Sequence, residues 1–65
     1  MNSTTAAELA AAAEAINGYQ RRIGRLAATT PGDEADLLTA IYEAERALGV
    51  AEKSIRRAVR LASKR

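Results

Sequence analysis

The chemistry open to this chain is set by charge. It carries ten Lys and Arg, eight Asp and Glu, and neither His nor Cys. The stretch KSIRRAVRLASKR, residues 53–65, holds six of the ten bases and no acid. Such side chains can grip phosphate or carboxylate oxygens through charge-assisted hydrogen bonds. Nucleophilic or general acid–base catalysis has little to draw on, because neither His nor Cys is present to act near neutral pH. Asp33, Glu34 and Asp36 lie close in sequence, yet they match no calcium-loop spacing, and Gly32 belongs to a Pro-Gly turn and not to a phosphate cradle. The expectation is a protein that is not an enzyme, with no catalytic residue, no metal and no cofactor.

The elements that position these charges must be built from a small apolar stock. Of the hydrophobic residues, 16 are Ala, against six Leu, four Ile and two Val; Met1, Tyr19 and Tyr42 complete the set. A chain of 65 residues makes one small domain, and domains of that size usually need a disulfide, a metal or a partner chain. Without Cys or His the first two routes close. Self-association is the route left, as a homodimer or a higher homo-oligomer. The stretch MNSTTAAELA lacks the basic and apolar segments of a signal peptide. No run is long and apolar enough to span a membrane, so a cytoplasmic location is expected.

Helix formers dominate, and no strand-like alternation appears. The first helix is expected over about residues 5–28, capped by Thr4 or Thr5 with Glu8 as a capping-box partner. The turn is expected at about 29–31. In TTPGDEAD, Thr30 reads as an N-cap, Pro31 as the first helical residue and Asp33 as the third-position acid. The second helix then runs over about 31–63. Gly49 threatens its continuity by about 1 kcal/mol relative to Ala, but the apolar repeat crosses it without a phase slip.

That repeat predicts a packing seam. Leu9, Ala12, Ile16, Tyr19, Ile23 and Leu26 form one stripe. Leu37, Ile41, Ala44, Leu48, Ala51 and Ile55 form the other. A short turn makes the helices antiparallel neighbours in a coiled-coil-like hairpin, with paired positions summing to about 63. The fold class is therefore all-α, an antiparallel two-helix hairpin that a homodimer would complete to a four-helix bundle. Leu38, Tyr42, Val59 and Leu61 lie off the seam and are the candidate oligomer or partner contacts. Small residues along the first helix (Ala6, Ala10, Ala13, Asn17, Gly24) would let a second hairpin approach closely there, although Ala's preference for helix is the plainer reading for most of them. Asn17 and Gln20 can hydrogen-bond across a bundle, although ordinary exposure is the plainer reading.

Each helix is acid-first and base-last, which suits the helix dipole and favours antiparallel neighbours. In the register summing to 63, residues 59–65 project past the first helix. Arg60, Lys64 and Arg65 then lack an internal acid and become the candidate phosphate or acidic-partner contacts. Arg46, Lys53 and Arg60 also recur every seven residues, opposite the seam. The functional expectation is a small self-associating helical interaction module that binds another macromolecule, most readily a protein, through the face bearing Tyr42 or the basic end. A basic nucleic-acid-associated regulator is the alternative, with weak and non-specific binding because no reading motif is present. A structural or assembly subunit without separate ligand is third.

Overall fold

The computed structural model describes residues 3–64. Two helices make up the secondary structure of those residues: α1, Ser3–Thr29, and α2, Ala35–Ser63. They pack against each other as a rod with extents of 52 × 13 × 9 Å. Long runs of Ala, Leu, Glu, Lys and Arg explain the helicity. Helix α2 is unbroken through Gly49, as the uninterrupted apolar repeat requires.

The turn departs from expectation. Thr30 does not cap α2: its hydroxyl donates backwards to the Leu26 carbonyl at 2.7 Å, and the Thr29 hydroxyl donates to the same oxygen at 3.2 Å. Both satisfy a carbonyl that the end of α1 leaves without an intrahelical partner. Pro31 lies outside the helices, and the Glu34 amide closes a turn onto the Pro31 carbonyl at 3.1 Å. Helix α2 therefore starts at Ala35, with Glu34 at the N-cap and Asp36 as its first-turn acid; Asp33 stays in the turn. At the other end, α1 is already helical at Thr4 and Thr5.

The interhelical contact is also rotated from the expected seam. Among the described residues only Ala13, fully buried, and Ala27, 7% exposed, are buried, and no large side chain is. The contact line of α1 follows Ala6, Ala10, Ala13, Asn17, Gln20, Gly24 and Ala27, spaced alternately by four and three. All are at least half-buried. Tyr19, Leu26 and Leu37 stay exposed at 56%, 51% and 48%, and Ala12 and Ala44 are exposed as well. The rest of the expected seam (Leu9, Ile16, Ile23, Ile41, Leu48, Ala51 and Ile55) is half-buried. At about 100° per residue, the large-residue stripe of α1 lies roughly a quarter turn from the line that meets α2. Small residues at the line let the helices close on each other, and the larger ones are displaced to its flank.

Register moves with it. Asn17 bonds Glu52, the Gln20 amide sits over Gly49, and the Glu45 carboxylate sits over Gly24. Each of these pairs sums to 69, not 63. The connection through residues 30–34 runs on beyond α1 before α2 turns back, which shifts α2 along its neighbour. Arg60 is thus level with Leu9, and Lys64 with Thr5. The basic end of α2 lies alongside α1 and does not project past it.

Candidate functional site

A ladder of polar groups runs along one side of the hairpin. The Asn17 side-chain amide donates to Glu52 Oε1 at 3.1 Å. Arg56 Nε donates to Glu52 Oε2 at 2.9 Å, and Arg56 Nη2 reaches Glu14 Oε2 at 3.2 Å. Two glycines make room for the remaining rungs. A Cβ at Gly49 would stand 2.7 Å from the Gln20 amide nitrogen, and one at Gly24 would stand 2.9 Å from a Glu45 oxygen. Asn17 thus proves to be a cross-helix rung, and polar atoms fix the register that Ala–Ala packing leaves loose.

The ladder tunes its carboxylate. The hydrogen bond from Asn17, then that from Arg56, hold the Glu52 pKa below its ordinary 4.5. The bond to Glu52, then that to Glu14, keeps the Arg56 guanidinium more firmly protonated. A carboxylate lowered on folding contributes stability above its unfolded value, and that contribution is lost as pH falls through the folded value. Glu52→Gln is therefore expected to lower the melting midpoint at pH 7. The gap between variant and wild type should shrink between pH 4.5 and lower pH, as thermal melts at pH 7 and at acid pH would show.

The two large-residue stripes fall together on the opposite side. On α1 the stripe lies on the flank away from Glu14 and Arg21, and on α2 on the flank away from Gly49 and Arg56. Because the Glu14–Arg56 pair places the polar flanks of both helices on one side, both apolar flanks share the other. Ile16, Tyr19, Ile23 and Leu26 of α1 thus stand beside Leu37, Ile41, Leu48 and Ile55 of α2, in one broad apolar face. Residues read from the sequence as a seam between two helices form one side of both.

The candidate contacts separate. Leu38 and Val59 are half-buried near the interhelical line. Tyr42, 56% exposed, lies on the polar side, and Leu61, 53% exposed, lies on the outer back of α2. Tyr42, Arg46, Lys53 and Arg60 follow one edge of α2 at spacings of four, seven and seven, and all are exposed. Arg60 and Lys64 are exposed; Arg65 lies outside the described residues. The salt bridges of the described residues are both made by Arg56. On this side Glu45 and Glu52 are half-buried with Arg56, while Glu14, Arg46, Lys53 and Arg60 are exposed. A shallow hollow of about 500 Å³ lies against Arg46, Lys53 and Arg56.

Among the described residues no group of three His, Cys, Asp or Glu is placed to hold a metal ion. No helix is long and apolar enough to cross a membrane. Fold and faces together define an all-α antiparallel helical hairpin with an apolar side and a cationic, polar side. No protein-family model, no curated protein and no solved structure matches the chain.

Proposed function

We propose that this chain is a self-associating helical interaction module. A second copy covers the apolar face to complete a four-helix bundle, and the polar sides, turned outward, bind another macromolecule. The observation that carries this reading is that, among the described residues, only Ala13 and Ala27 are buried, while Ile16, Tyr19, Ile23 and Leu26 share one side with Leu37, Ile41, Leu48 and Ile55, and Tyr42, Val50 and Leu61 lie elsewhere. Surface area supports it. The chain exposes 4820 Å², against roughly 4,000 Å² for a compact folded monomer of its 6.9 kDa. The excess of about 800 Å² matches what each partner gives up in a standard interface. Light scattering at micromolar concentration is expected to return twice 6.9 kDa; a stable helical monomer would remove the reading.

The recognition surface under this reading is the α2 edge of Tyr42, Arg46, Lys53 and Arg60, with an acidic protein surface as its complement. Nucleic acid is the second reading, favoured by the exposed cations Arg46, Lys53 and Arg60 along one edge. Phosphate contacts would make binding fall steeply with salt, by counterion release. Titrating labelled duplex, labelled single strand and an acidic polypeptide at two salt concentrations separates them. Arg46→Gln with Lys53→Gln and Arg60→Gln is expected to abolish whichever binding appears. Binding that survives this triple change would place recognition elsewhere.

A further inference from the structure

The geometry points to one arrangement of the second copy: apolar face to apolar face, with the two turns at opposite ends of the bundle. This rests on the reading that a second copy covers that face. Two independent features select the orientation.

The first is charge. The turn half, residues 21–45, has three bases and five acids, a net of −2; residues 1–20 and 46–65, the open half, have seven bases and three acids, a net of +4. These halves add to the chain's +2. With turns at opposite ends, each acidic half lies over a basic half. With turns at the same end, like halves meet, which costs association energy and encounter rate.

The second is taper. Toward the turn the apolar face carries Ile23, Leu26, Leu37 and Ile41. Toward the open end Leu9, Ile16 and Ile55 are interspersed with Ala12, Ala58 and Ala62, so the face thins there. Opposed turns lay the thick end of one copy on the thin end of the other and keep the layers evenly spaced. Matched turns would leave a gap along the Ala-lined end, and close-packed interiors do not tolerate such voids. In the opposed arrangement α2 meets its own antiparallel copy. Leu37 then falls against Ala62, Ile41 against Ala58, Ala44 against Ile55 and Leu48 against Ala51, each pair summing to 99. Every level of this α2–α2 contact sets a large residue on an alanine.

The chain has no Cys, so single spin labels can be placed without background. A side chain at Gly32 meets nothing within 4 Å, and Ser63 at the far end is exposed. Pulsed dipolar spectroscopy is expected to give a separation of about 50 Å in the labelled Gly32→Cys homodimer and about 40 Å in the Ser63→Cys homodimer, from the 1.5 Å rise over the intervening levels. Mixing the two labelled chains should add a separation under about 20 Å, because the turn of one copy lies beside the open end of the other. Short distances in either homodimer would overturn the orientation and leave the dimer intact. Absence of intermolecular coupling, with a monomer mass, would remove the assembly reading itself.

Discussion

Leu26→Glu is expected to weaken self-association at least a thousandfold, while Leu61→Glu leaves it unchanged. The two leucines are matched in the hairpin, at 51% and 53% exposed, so neither substitution removes much packing within one chain. They differ in side: Leu26 belongs to the apolar face, and Leu61 to the outer back of α2. Burying a leucine contributes about 2 kcal/mol, and a two-fold dimer loses it twice. About 4 kcal/mol corresponds to roughly a thousandfold in dissociation constant. The glutamate would add the cost of a charge held from water. Tyr19→Glu should behave like Leu26→Glu, and Tyr42→Glu like Leu61→Glu, since both tyrosines are 56% exposed and only Tyr19 is on the apolar face. Sedimentation velocity of the four variants reads the difference.

Ala13→Leu is the second large effect, and it acts within the hairpin. Ala13 is at 0% exposure, set where the two helices meet along their small-residue line. Extra methylenes in a closed contact force side chains off their rotamers or push backbones apart, costing about 1–3 kcal/mol. Separating the helices would also pull Asn17 from Glu52, one turn along the same line, which at 3.1 Å has little length to spare. Ala12→Leu, one residue away on the exposed apolar flank, should cost far less. Thermal melts of the two variants are expected to differ by several degrees, with Ala13→Leu the lower.

Much of the fold was legible in the residues, and the reason it stopped where it did is physical. Helix propensity is local, so the two helices and the passage through Gly49 follow from composition and period. The turn was misread because Thr30 has two hydrogen-bonding options: forward, as an N-cap, or back to the carbonyl of Leu26. Pro31 suits a first helical turn, but equally a loop that keeps the chain out of the helix. The apolar repeat identified which residues avoid water but not what would cover them. With Ala, Asn and Gly recurring beside a stripe of Leu, Ile and Tyr, the small line wins the contact within the hairpin, and the large stripe is left for a further layer. The signals for that outcome were present in Ala6, Ala10, Ala13, Asn17 and Gly24. Glu45 and Glu52 gave no such signal, since a carboxylate at a contact line declares itself only once Gly24 and Asn17 are seen opposite. The basic end changed meaning for the same reason. Register, not composition, decides whether Arg60 and Lys64 hang free or lie along α1, and register is set by side chains far apart in sequence.

The central claim is that the fold depends on a second copy covering the apolar face. Thermal unfolding followed by circular dichroism at about 1, 10 and 100 μM tests it most directly, because dissociation and unfolding are then one event. Each tenfold increase in concentration stabilises a dimer by about 1.4 kcal/mol. The midpoint is expected to rise by about 5 °C per step. A midpoint that stays fixed across the series, with full helical signal at the lowest concentration, would contradict the account.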